Sequence, residues 1–151
     1  MGYTPLYDPN EFGSQVRRFV RRPGPGGMVT ELEDGGEFAP KVIAADFVSL
    51  DDGTGIVHIA PAFGDEDLGV GRDKELSFVQ PVDLQGIITG NYPFAGKFVK
   101  TADKEIMEDL TDRGLLYHQD IYRHTYPFCW RCDTPLLYKP SPAWFLRTTD
   151  Y

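Results

Sequence analysis

Residues 41–50, KVIAADFVSL, are apolar on both alternating sets, with Val42, Ala44 and Val48 on one and Ile43, Ala45 and Phe47 on the other. That pattern suits a strand covered on both faces. The turn cluster DDGTG, Asp51 to Gly55, follows, and IVHIAP resumes an extended pattern, so the two segments predict a hairpin. GDEDLGVGRDKEL then predicts a short helix with Asp65 as N-cap and acids in its first turn, where the helix dipole favours negative charge. Gly69 and Gly71 weaken it, by about 1 kcal/mol each relative to alanine.

Further along, SFVQPVDLQGIIT reads as one or two strands around a turn at Gln85-Gly86, and NYPFAGKFV as a connection. The clearest helix is TADKEIMEDLTDRG: Ala102, Ile106 and Leu110 recur every four residues, Thr101 can cap its start and Gly114 can close its end. LLYHQDIYRHTYP reads as a strand with Leu116, His118, Asp120 and Tyr122 on one face, and PLLYKPSPAWFLRTT as a last strand or pair broken by prolines. Met1 to Ala39, rich in Pro, Gly and charge, reads as loops and marginal strands. Several strands with one or two helices and no internal repeat imply an α+β class.

At 151 residues the chain suits one main globule, and 41% apolar with 25% charged residues is a folded profile. No apolar run approaches the roughly 20 residues that span a bilayer, and the N-terminus lacks a basic-then-apolar signal pattern, so no membrane partner and a cytoplasmic location are expected. A net charge of −8 argues against a general nucleic-acid binder. One basic cluster stands apart, Arg17, Arg18, Arg21 and Arg22 in QVRRFVRR, and a short charge run of this kind reads first as a solvated surface.

Alternation along IVHIAP puts Val57 and Ile59 on one face and Ile56, His58 and Ala60 on the other. Asp67 falls in the first turn of the predicted helix, where backbone N–H groups can surround a carboxylate and keep it ionised. Such a carboxylate suits anchoring a cation better than donating a proton. No Gly-x-Ser-x-Gly elbow, phosphate loop or His-Glu-x-x-His pair competes with it. Cys129 and Cys132, the two cysteines, form a Cys-x-x-Cys whose spacing suits half of a tetrahedral zinc site. A reduced thiol pair, a redox couple, or a Cys₂His₂ site completed by His118 and His124 are the alternatives.

Together these residues resemble the class I isoleucyl-tRNA synthetases. GTGIVHIAPAFGDED is similar to that family's editing-site block, and HTYPFCWRCDTPLLYKPSPAWF to the segment where its chain leaves the inserted editing domain for the aminoacylation core. Phe63 and Gly64 stand where valyl and leucyl relatives carry His-Asp, which favours the isoleucyl branch. The resemblance implies a small β-barrel-like editing domain over residues 1–118 and a return segment over 119–151. It implies that Asp67 holds the α-ammonium of a misattached amino acid, that His58 lines the side-chain pocket with Phe63 beside it, and that Cys129 and Cys132 are one pair of a four-cysteine zinc site whose other pair lies outside this chain. The implied partners are tRNA(Ile) charged with valine and the remainder of the synthetase.

No cofactor is expected for editing itself. ATP belongs to the full-length parent, whose His-Ile-Gly-His and Lys-Met-Ser-Lys-Ser signatures are absent from this sequence. The family's threonine-rich strand, which supplies the other wall of the editing pocket, is absent too, so weak or no activity in isolation is expected, and the end at RTTDY suggests truncation. The rival expectations are a non-catalytic tRNA- or protein-binding module, a small zinc protein, and a valyl-tRNA synthetase editing segment.

Overall fold

The computed structural model describes residues 1–151 apart from Asp52, Pro142, Phe145, Arg147 and Tyr151. Its longest backbone ladder lies in the region expected to be loops and marginal strands. β1 (Gln15–Gly24) and β2 (Gly27–Asp34) form an antiparallel hairpin closed by Gly24 opposite Gly27, and Gly27 takes a positive φ of 127° that a side chain would resist. Charge complementarity across the strands explains why apolar periodicity missed it. Arg17 lies opposite Asp34 and pairs with it at 2.8 Å, Arg22 pairs with Glu33, and Gln15 Nε2 donates to Asp34 at 3.1 Å. Each exposed pair contributes a few tenths of a kcal/mol, and the set fixes the register.

β3 (Ser77–Gln80) joins the other edge of β1, giving the order β2-β1-β3. The α+β class is borne out, but the sheet has three strands and stays open, so the expected barrel-like closure is not formed among the described residues. α1 (Asp65–Asp73) starts one residue earlier than expected: Gly64, in extended conformation, is the N-cap in place of Asp65, which is the first helical residue. α2 (Asp103–Asp112) follows a single 3₁₀ turn, Val99–Thr101. Its N-cap is Ala102, because the Thr101 hydroxyl is used on Phe98 O at 2.8 Å within that turn. Gly114, at φ 67°, closes the helix as expected: its N–H reaches Thr111 O at 2.9 Å and the next N–H, of Leu115, reaches Leu110 O at 2.8 Å.

Two apolar clusters hold these elements. Phe19 of β1, Phe78 of β3 and Ala62 form one; Val82, Ile88, Tyr92, Phe94 and Ala102 form the other. Phe63 packs on both and ties them together. The turn expected at Gln85-Gly86 is present: Asp83 N donates to Ile87 O, and the Asp83 carboxylate accepts from Gln85 N and Ile87 N at 2.8 and 2.9 Å. An aromatic stack extends the second cluster toward the N-terminus, with Phe12 over Tyr92 at 4.8 Å and Tyr92 beside Phe94 at 5.7 Å.

The hairpin expected over residues 41–61 does not form. Within 41–50 the backbone bonds are Val42 N to Met1 O and Val48 N to Ala45 O, and neither segment finds a ladder partner among the described residues. Val42, Phe47, Ile56 and Val57 are consequently exposed. Part of the intervening turn, at Asp52, lies outside the described residues. The strand expected over LLYHQDIYRHTYP is also absent for want of a neighbour, and Tyr117, Ile121 and Tyr122 are exposed. Of the last expected strand, positions 142, 145 and 147 lie outside the described residues, and the described part forms only the isolated bridge Phe128–Pro135 and a 3₁₀ turn, Thr148–Asp150.

The N-terminal segment is fastened to α2 by Tyr7, whose hydroxyl donates to Asp109 at 2.6 Å, while Arg113 grips the same carboxylate at 3.0 Å, reaches Leu6 O at 2.7 Å and lies over the Tyr7 ring. Burial and the Asp109 bond push the Tyr7 phenol up to about 12, and the bonds from Tyr7 and Arg113 hold the Asp109 carboxyl below its ordinary value. A phenol raised on folding stabilises fully below its unfolded value of 10.0 and loses that contribution as pH rises toward about 12. Tyr7→Phe is therefore expected to lower the melting temperature at neutral pH by about 2–4 °C. Circular-dichroism melts should show the gap between the two proteins closing in that alkaline window.

Candidate functional site

α1 begins at a tight turn. Phe63 N donates to Ala60 O and Leu68 N to Gly64 O, both at 2.9 Å, so Pro61 to Gly64 fold under the helix start. Asp67, half-buried in the first helical turn, reaches back over this turn, and its Oδ2 accepts the Ala60 N–H at 3.0 Å. Gly64 makes room for it: a Cβ there would stand 3.0 Å from that same oxygen and 3.1 Å from Cγ. One carboxylate oxygen is thus committed to the loop. Asp65 and Glu66 beside it are exposed.

His58 is exposed and lines an apolar cleft of about 610 Å³ together with Val42, Phe47, Ile56 and Leu76. Most of its lining comes from the two segments that lack ladder partners, and Leu76 and Ser77 at the start of β3 also contribute. Asp67 is not part of the lining, so the cleft that holds His58 does not include it; Asp67 is tied to the segment carrying His58 through the Ala60 N–H. Phe63 faces the two apolar clusters, and it too is outside the cleft lining.

The cysteines occupy a second tight turn. Cys129 N donates to Thr134 O at 2.9 Å, Asp133 N donates to Cys129 O at 2.8 Å, and Asp133 takes a positive φ of 53°. Cys132 is exposed, with Sγ 3.2 Å from Thr134 Oγ1. Hydrogen bonds from the Thr134 side chain and backbone, and from Cys129, lower the Cys132 thiol below its ordinary value. Two thiols on one turn fit half of a tetrahedral site. His118 and His124 do not complete it: no group of three or more metal-binding side chains assembles among the described residues, and His124 instead stacks on Tyr122 at 5.6 Å.

The arginines of β1 are largely neutralised at home. Arg17 and Arg22 pair with Asp34 and Glu33, and Arg21 stands 3.8 Å from Glu75. Two features of the site escaped the sequence reading, the Ala60 N–H on Asp67 and the burial of Gly71. The only signal for the second was a glycine placed where it weakens a helix.

No family model matches the chain. Relatives do. Over 147 residues, 97% of this chain, it is 50% identical to the isoleucine–tRNA ligase of Dehalococcoides mccartyi strain CBDB1 and 52% identical to that of strain ATCC BAA-2266 / KCTC 15142 / 195. It is 54% identical over 109 residues to the isoleucine–tRNA ligase of Bacillus thuringiensis strain Al Hakam, 72% of this chain. The similarity defines a relative of aminoacyl-tRNA ligases. More narrowly, the chain is homologous to one stretch of isoleucine–tRNA ligase, and it spans 14% of the length of the two Dehalococcoides proteins and 11% of the Bacillus one. Among the described residues no helix is long and apolar enough to cross a membrane.

In the metal-free chain, iodoacetamide near neutral pH is expected to alkylate Cys132 before Cys129, since Cys132 is the more exposed and the hydrogen bonds around its sulfur lower its thiol below the ordinary value. Peptide mass spectrometry with time would check it, and Thr134→Val should slow the Cys132 reaction selectively.

Proposed function

We propose that this chain is the editing-region segment of an isoleucine–tRNA ligase, acting in the cytoplasm to hydrolyse valine misattached to tRNA(Ile). The observation that supports it most is the carboxylate of Asp67, locked by Ala60 N–H at 3.0 Å within a sequence block similar to the family's editing site. A charged group held by a backbone donor is oriented before any ligand arrives. Such a step is needed because one methylene discriminates weakly; isoleucyl-tRNA synthetase is itself the known example, at about 150-fold for isoleucine over valine.

In this reading Asp67 receives the α-ammonium of the valyl ester, which turns the carbonyl toward the reacting water. The cleft beside His58 is this segment's share of the side-chain pocket; Asp67 lies outside its lining, so a pocket that takes both the ammonium and the side chain is completed only with the family's threonine-rich strand as its other wall. Water adds to the ester carbonyl, the bond to the terminal ribose breaks, and valine leaves as its carboxylate while one of the water's protons goes to the ribose oxygen and the other to solvent. Positioning supplies most of the rate. Cys129 and Cys132 would hold a zinc ion with two further thiolates from outside the chain; the metal would brace the return segment, with no part in the hydrolysis.

The test is a chimera in which this chain replaces the matching segment of the Dehalococcoides mccartyi strain CBDB1 ligase. Asp67→Ala in the chimera is expected to slow Val-tRNA(Ile) deacylation by about 100-fold with Ile-tRNA(Ile) formation within about twofold. Deacylation unchanged by Asp67→Ala would defeat the reading and favour a non-catalytic tRNA- or protein-binding segment, whereas preference for Thr-tRNA(Val) would select a valyl-type site. The 151-residue chain alone is expected to deacylate feebly, because it brings one wall of the pocket.

A further inference from the structure

We infer that Gly71 of α1 and Phe19 of β1 are positioning residues that set where the Asp67 carboxylate stands; what that carboxylate does rests on the editing reading, but its placement does not. The Ala60–Asp67 bond spans from the segment carrying His58 to the first turn of α1, so its length depends on how closely α1 lies against the intervening Pro61. Gly71 is the buried residue of that helix, one turn beyond Asp67 and therefore on the same face. A Cβ at position 71 would stand 2.8 Å from Pro61 Cβ, 2.9 Å from Pro61 Cγ and 3.1 Å from Phe19 Cε2.

Neither neighbour can yield easily. Pro61 is buried and conformationally fixed, and Phe19 is buried edge-on against Phe78, the most enclosed large side chain, with centroids 6.1 Å apart at 89°. An added methyl would lift the helix off Pro61 and draw the carboxylate from Ala60 N–H. Gly69, two residues earlier in the same helix, has nothing within 4 Å of the place its Cβ would take. Glycine at 69 is thus a matter of helix propensity alone, whereas glycine at 71 is required by the approach of two elements. The hairpin holding Phe19 lies far from Asp67 in sequence, and this contact couples the two.

The pair of glycines makes the test. In the 151-residue chain, Gly71→Ala is expected to speed hydrogen exchange of the Ala60 amide about tenfold relative to Gly69→Ala, with the Ile106 amide in α2 unchanged in both. Phe19→Leu, which keeps Gly71 but removes part of its wall, should move Ala60 in the same direction and serves if Gly71→Ala does not fold. Equal Ala60 exchange in Gly71→Ala and Gly69→Ala, or an Ala60 amide indifferent to Phe19→Leu, would overturn the inference. In the chimera, Gly71→Ala should lower kcat for Val-tRNA(Ile) deacylation with KM unchanged, and Gly69→Ala should leave both within about twofold. If Ala60 responds while deacylation ignores Asp67→Ala, the positioning stands and the editing reading falls.

Discussion

Backbone amides and carbonyls have to be paired wherever they are covered, and in this chain β1 is the place where pairing is available on both sides. β2 supplies one ladder and β3 the other, so Phe19, projecting from the central strand, has a fixed position against Phe78 and Ala62. That fixed ring is the surface on which Pro61 and Gly71 come together. The Asp67 turn is therefore a consequence of the sheet, although it lies outside the strands themselves. Segments without a ladder partner among the described residues, 41–50 and 55–60, take no regular form and leave their apolar side chains as the walls of a cleft.

Within the turn itself, small residues and one hydrogen bond divide the work. Gly64 permits the carboxylate to fold back over the loop, Ala60 N–H holds one of its oxygens, and Gly71 permits the helix to approach. The glycine at 71 costs α1 about 1 kcal/mol of helix propensity. That cost is offset only by what the close approach achieves, which is a local sequence penalty exchanged for tertiary placement.

Local signals were legible and non-local ones were not. The stripe Ala102, Ile106, Leu110 and the closing Gly114 identify α2 because helix faces and caps are written within a few residues. The acids at 65–67 mark the start of α1 for the same reason, and place Asp67 in its first turn. β1 and β2 were hidden because their pairing is carried by Arg17 against Asp34 and Arg22 against Glu33, a complementarity between two segments that apolar periodicity does not register. Residues 41–61 were misread for the opposite reason: an apolar pattern says what a segment can bury, not whether a neighbour is there to pair with it. The Ala60 and Gly71 contacts depend on interatomic approach, which no spacing rule encodes.

The electrostatics of the hairpin bear on any RNA partner. Four arginines in eight residues suggest a phosphate-binding surface, yet Arg17, Arg21 and Arg22 each face a carboxylate within the same domain, and the whole chain carries −8. Counterion release scales with phosphates neutralised, and arginines already paired with acids release few. An RNA brought to this segment would thus gain little from its general field. What discrimination it met would come from short-range contacts, and a carboxylate such as that of Asp67, repelled by phosphate and attracted by an ammonium, can contribute only where the bound amine lies close and the backbone holds the oxygens still.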